Sequence, residues 1–109
     1  MFDKRRFIRV NVDIEAEMFS AAKTSIGKGR AIDVSISGIG VKHTLTQGFR
    51  NGGEIFVTFT LPDGTAFDKI RAEVRGNEKL LDGLLLKLRF TEMKVLDAMK
   101  QYVEKVQPK

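Results

Sequence analysis

Cysteine is missing from the 109 residues, which excludes disulfides and thiolate metal sites and is compatible with a cytoplasmic setting. Histidine is nearly missing too. With His43 alone, no His-containing metal cluster can be built, and a hydrolytic triad would have one candidate base. His43 is in phase with Ile39 and Val41, the pattern of a satisfied or half-buried strand residue rather than a catalytic one. No unbroken apolar run exceeds three residues, as in Leu84–Leu86, so no segment reads as a bilayer span. The start, Met1-Phe2-Asp3-Lys4-Arg5-Arg6, has no apolar run behind its charges and does not read as a secretory signal. Gly38-Ile39-Gly40 lacks the third glycine and the following helix of a dinucleotide loop. Glu15 and Glu17 lie on the polar face of their segment, where paired carboxylates are ordinarily solvated. The expectation is a protein that is not an enzyme, with no metal and no catalytic residue.

What is present suits one folded domain over residues 1–109. The chain is long enough for a core of its own and too short for two, at 42% apolar and 30% charged residues. The net charge of +5 favours an anionic partner. Lys4, Arg5, Arg6 and Arg9 crowd into the first nine residues against Asp3, while later cations have acidic neighbours. Taken alone, such a cluster reads first as a solvated terminus.

Period-two alternation runs through the first ninety residues. Ile8, Val10, Val12, Ile14, Ala16 and Met18 alternate with polar residues and predict a strand with one face buried. Ser20–Gly29, rich in glycine, serine and alanine, reads as a loop. In 30–36 the apolar phase is Ile32, Val34 and Ile36, which places Asp33 and Ser35 together on the other face. Ile39, Val41 and His43 share a side of the next strand. Asn51-Gly52-Gly53 is a turn signal before Ile55, Val57, Phe59 and Leu61. Leu61-Pro62-Asp63-Gly64 reads as a tight hairpin. Ile70, Ala72 and Val74 mark a fifth strand. Asp82-Gly83 turns into a sixth, with Leu84, Leu86, Leu88 and Phe90 inward and Lys87 and Arg89 outward. Six short strands imply a mainly β chain whose antiparallel sheet curls or closes into a barrel over residues 7–90. At Thr91 the period changes. Thr91 is expected as the N-cap of a C-terminal α-helix over 92–106, with Glu92 in its first turn. Its stripe of Val95, Leu96, Met99, Tyr102, Val103 and Val106 is expected to lie on the barrel.

Two short segments carry more than fold. In RRFIR, Arg5 and Arg9 are spaced R-x-x-x-R; in DVSISG, Asp33, Ser35 and Gly38 are spaced D-x-S-x-x-G. Arginine offers a planar fork of donors for phosphate oxygens or guanine acceptors, and its flat face stacks on a base. Aspartate accepts from the Watson–Crick donors of guanine, a serine hydroxyl serves a phosphate or base edge, and glycine admits close backbone approach.

In this order, on six strands and a helix, the two segments resemble the PilZ domain. GIGV after the turn and LLLKLRF before the final helix are similar to the family as well. The resemblance covers nearly the whole chain and implies a split six-stranded antiparallel barrel that binds the bacterial second messenger cyclic di-GMP. It implies that residues 1–9 are a ligand-binding arm in which Arg5 and Arg9 clamp phosphates and guanine faces. It gives Asp33 and Ser35 a guanine edge to hold and Gly38 the turn to shape. Arg6 either adds a phosphate contact or is solvated. Arg75 falls where many members carry a stacking aromatic, and either stacks on the second base or is a wet strand residue. Lys4 stands where members differ in taking one nucleotide or a stacked pair.

The function expected is a cytoplasmic, non-catalytic receptor that changes its surface on nucleotide binding to regulate an effector protein, without membrane insertion. Two rivals are a protein-interaction module of the same fold that binds no nucleotide and a single-stranded nucleic-acid binder. The second of these expects a row of exposed aromatics, for which Phe56 is the main candidate on an outward strand face.

Overall fold

In a computed structural model that describes residues 8–46 and 48–106, the alternating segments pair into strands β1 (Val10–Phe19), β2 (Ser25–Val34), β3 (Gly38–His43), β4 (Glu54–Thr60), β5 (Ala66–Leu80) and β6 (Gly83–Phe90), followed by helix α1 (Met93–Val106). The strands close into an antiparallel barrel in the order β1-β2-β3-β6-β5-β4. The four pairings β1–β2, β2–β3, β4–β5 and β5–β6 join chain neighbours, while β3–β6 and β1–β4 complete the ring.

Alternation decides which side chains fill the ring. Met18, Val57 and Leu86 are fully enclosed, and Phe59 lies between Phe67 at 4.9 Å and Phe90 at 6.0 Å, ring centre to ring centre. Each such apolar side chain contributes about 1.5–3 kcal/mol on burial. The helix adds Val95, Met99, Tyr102 and Val103 to the same core, the buried part of its predicted stripe, while Val106 stays exposed. Lys105 Nζ pairs with Asp63 Oδ2 at 2.8 Å, tying the last helical turn to the β4–β5 hairpin. In that hairpin Gly64 donates to the Leu61 carbonyl with φ at +95°, a conformation suited to glycine.

Three details depart from the sequence reading. The segment 20–29 is a loop only through Thr24, because β2 begins at Ser25 and pairs Gly27 with Met18 and Gly29 with Ala16. Its glycines answer to crowding. A Cβ on Gly29 would stand 2.6 Å from the Lys42 carbonyl oxygen and 2.8 Å from Val41 Cγ1. The inward phase of β2 is Ala31 and Val34, with Ile32 and Ile36 only half-buried, because the β2–β3 register shifts between Ala31 and Asp33. The helix starts at Met93, and the Glu92 carbonyl accepts from the Val95 and Leu96 amides, so Glu92 precedes the first turn and Thr91 lies one residue outside it.

His43 is a satisfied core residue. It is 5% exposed, its Nδ1 accepts from the Leu45 amide at 3.1 Å, and its Nε2 stands 3.0 Å from Asn77 Oδ1. With Nδ1 accepting, the ring carries its proton on Nε2 and donates to Asn77.

Candidate functional site

Asp33, Ser35 and Gly38 sit where β2 hands over to β3. Ser35 and Gly38 hold each other twice: the Ser35 amide donates to the Gly38 carbonyl at 2.9 Å, and the Gly38 amide donates to Ser35 Oγ at 3.1 Å. Buried Ser35 thereby closes the turn with its oxygen and keeps its hydroxyl proton to donate. The Ser37 carbonyl accepts from the Phe90 amide at 2.8 Å, fastening the turn to the end of β6.

The motif glycine acts through its missing side chain. Gly38 is opposite Arg89 across β3–β6, and a Cβ there would run into the Leu88 carbonyl oxygen. Gly38 has no positive φ; close strand approach is what requires it. Gly40 plays the matching part for the aspartate. It pairs with Asp33 across β2–β3, and a Cβ on it would stand 2.8 Å from Asp33 Oδ1. The GIG sequence is therefore a pair of spaces, one for the β6 backbone and one for a carboxylate.

Arg9 stands just before β1, and its Nη1 lies 3.1 Å from Asp33 Oδ1, with the arginine side chain 55% exposed and the aspartate 19%. The sequence separates these residues by 24 positions; the pairing of Asn11 with Asp33 brings them together. Arg75 arrives from the opposite side. The β5–β6 register runs from Val74 opposite Leu88 to Gly76 opposite Lys87, so Arg75 is the extra residue of a bulge, which aims its side chain away from the regular ladder.

These residues converge on one cleft of about 170 Å³, walled by Arg9, Ser35, Ser37, Gly38, Arg75, Lys87 and Arg89 over a floor of Ile39 and Leu88. Of the residues expected from sequence, Arg9, Asp33, Ser35, Gly38 and Arg75 are thus brought together, with Asp33 reaching the cleft through Arg9. Arg5 and Arg6 lie outside the described residues, as does all of the 1–9 arm before Ile8. The sequence reading missed Gly40, Ser37, Lys87 and Arg89 as site residues, and Glu73 behind them. Alternation does place Lys87 and Arg89 outward, but that β6 runs beside β3 is a matter of topology.

A larger depression of about 330 Å³ lies between α1 and the β4–β5 hairpin, lined by Asp63, Thr65, Ala98, Gln101, Tyr102 and Lys105. Asp63 and Lys105 already satisfy each other there, and among the described residues no arginine lines it. Among the described residues no three or more His, Cys, Asp or Glu side chains gather as metal ligands, and no helix is long and apolar enough to cross a membrane. Phe56 is half-buried on the outer face with Lys23 5.0 Å and Arg71 5.8 Å from its ring centre, so cations already cover the aromatic that a nucleic-acid platform would need bare.

No curated protein matches the sequence. Among solved structures, the inhibitor of motility MotI/DgrA of Bacillus subtilis is 19% identical with a TM-score of 0.74, over 97% of this chain and 52% of that one. YcgR of Escherichia coli in complex with c-di-GMP is 14% identical with a TM-score of 0.75, over 96% of this chain and 46% of that one. The PilZ domain of the same Escherichia coli protein, also with c-di-GMP, is 15% identical with a TM-score of 0.71, over 96% of this chain and 92% of that one. The chain therefore spans about half the length of the first two and nearly all of the separate domain. At these identities the likeness is one of fold. The family model for the PilZ domain matches residues 3–105. A closed barrel with its C-terminal helix, the D-x-S-x-x-G turn in place against β6, and that match over almost the whole length make this chain a member of the PilZ domain family.

Proposed function

We propose that this chain is a non-catalytic, cytoplasmic receptor for cyclic di-GMP that alters its surface on binding and so regulates an effector protein. The observation that carries the reading is the convergence of Arg9 and the Ser35–Gly38 turn on one cleft, with Asp33 paired to that arginine. Arginine and lysine side chains there meet the two phosphates and stack on guanine, the Asp33 carboxylate takes the guanine N1–H and 2-amino donors, and the Ser35 hydroxyl donates to an acceptor. The complexes of Escherichia coli YcgR and its PilZ domain with c-di-GMP support the choice of ligand. At about 170 Å³ the cleft is below the ~300–1,000 Å³ of pockets that enclose a small molecule, so a dinucleotide lies across it rather than inside it. Arg5 and Arg6, the other arginines of the RRFIR segment, are assigned to the phosphates and guanine faces by the resemblance to the family. Both nitrogens of His43 are engaged in the core, away from the cleft.

Calorimetric titration with cyclic di-GMP, with GTP and a short RNA as controls, tests the proposal. Saturable binding of the cyclic dinucleotide alone is expected. Binding of none of the three would leave the protein-interaction module, and preference for RNA would favour the nucleic-acid reading.

A further inference from the structure

Glu73 does not line the cleft but stands behind it, and two arginines that do line it converge on one of its oxygens. Arg89 Nε lies 3.1 Å and Arg89 Nη2 2.8 Å from Glu73 Oε1, and Arg75 Nη1 lies 3.5 Å from the same atom. The carboxylate side chain is 27% exposed, against 54% for Arg89 and 59% for Arg75, so the anchor is sheltered while the guanidinium groups face solvent. An arginine gripped along its Nε–Nη2 edge cannot swing freely. Its flat faces and its remaining Nη1 donors stay presented in one orientation, which suits stacking on a base or a charge-assisted bond to phosphate.

Strand pairing brings this anchored cation beside the motif. Glu73 is opposite Arg89 across β5–β6, and Arg89 is opposite Gly38 across β3–β6. On the other side of the turn Arg9 has a carboxylate of its own, Asp33 at 3.1 Å. The Ser35–Gly38 turn is thus flanked by two carboxylate-anchored arginine groups, and cyclic di-GMP has two equal guanylate halves.

Resting on the proposed reading of the cleft, we propose that Arg89 is a further contact for the cyclic dinucleotide and that Glu73 is the positioning residue that fixes it. The experiment is calorimetric titration of the full chain with cyclic di-GMP, for the wild type, Arg89→Ala, Arg89→Lys, Glu73→Gln and the Glu73→Gln/Arg89→Ala double variant. Melting temperatures of all five show that each is folded. Arg89→Ala is expected to weaken binding by roughly tenfold or more, the scale of one charge-assisted contact. Arg89→Lys keeps the charge but not the plane and should recover little of the loss. Glu73→Gln should weaken binding several-fold in the wild-type background and clearly less once Arg89 is gone, because only its longer 3.5 Å contact with Arg75 is then left to lose. Wild-type binding with Arg89→Ala and Arg89→Lys both unaffected overturns the Arg89 contact and leaves the receptor reading standing. A Glu73→Gln loss that adds in full to that of Arg89→Ala overturns the positioning role. A wild type that does not bind overturns the receptor reading itself, and this inference with it.

Discussion

Arg9 and Asp33 hold each other at 3.1 Å, and a ligand that engages Arg9 has to take over that contact. Removing Arg9, 55% exposed, leaves the Asp33 side chain, 19% exposed, without that partner, a loss of about 1–3 kcal/mol. Arg9→Ala should therefore lower the melting temperature by a few degrees without unfolding the barrel, and weaken cyclic di-GMP binding by at least ~1.5 kcal/mol, the low end for a hydrogen bond to a charged group. Calorimetry beside a thermal melt separates the two effects, and unaltered affinity in a folded variant removes Arg9 from the site. Asp33 makes a different claim, on selectivity. Its carboxylate is 19% exposed and occupies the room that Gly40 leaves, so it is fixed in place. Cyclic di-AMP lacks the N1–H and the 2-amino group and would leave this carboxylate without donors. Discrimination by more than roughly tenfold follows, measured by titrating both dinucleotides. Equal affinities would show that Asp33 reads no base.

At the scale of elements, the helix is held to the barrel by apolar packing and by the Asp63–Lys105 ion pair, which titrates. The Lys105 ammonium, followed by the Thr65 amide, holds the Asp63 carboxyl down at about 2, below its ordinary 3.8. Burial works against the shift, and the lysine, 62% exposed, leaves the pair open enough to water to keep the effect modest. A depressed carboxylate stabilises the fold above its unfolded value of about 3.8, and that contribution is lost as the pH falls through about 2. Melting followed by circular dichroism should accordingly show the wild type losing stability between those two values relative to Asp63→Asn, and the curves should run parallel above them. Parallel curves throughout would mean that the pair does not link helix to hairpin. Legibility in the sequence also varied by element. Strands 1, 4, 5 and 6 were readable because one side of each faces the core at every second residue. The start of β2 is not, since Gly27 serves a backbone φ of +148° and Gly29 a crowded pairing, which composition cannot tell from a loop. The β2 phase departs from strict alternation at its bulge, where two successive residues share one partner, and the helix begins one residue after the expected start.

For the whole molecule, closure is what assembles the site, and closure is the part that sequence conceals. Arg9, Asp33, Ser35 and Gly38 could be named from two short motifs, while Lys87, Arg89 and Glu73 join them only because β3 lies against β6 and β6 against β5. The result gathers cations from strands far apart in the chain: Arg9, Arg75, Lys87 and Arg89 reach the cleft with side chains 55%, 59%, 38% and 54% exposed. The net charge of +5 adds a general pull on anions. Exposed charges of this kind act through water and are screened by salt, over ~10 Å at 0.1 M and ~3 Å at 1 M. If the cation wall meets the two phosphates of cyclic di-GMP, affinity should fall steadily as sodium chloride is raised, by several-fold across that range. The melting temperature should move much less, because a predominantly apolar core holds the barrel. Arg75→Ala should flatten the slope as well as weaken binding, since it removes one screened contact. An affinity indifferent to salt in the wild type would mean that the ligand is held by stacking and base-edge contacts alone, with the β5–β6 cations facing solvent instead of phosphate.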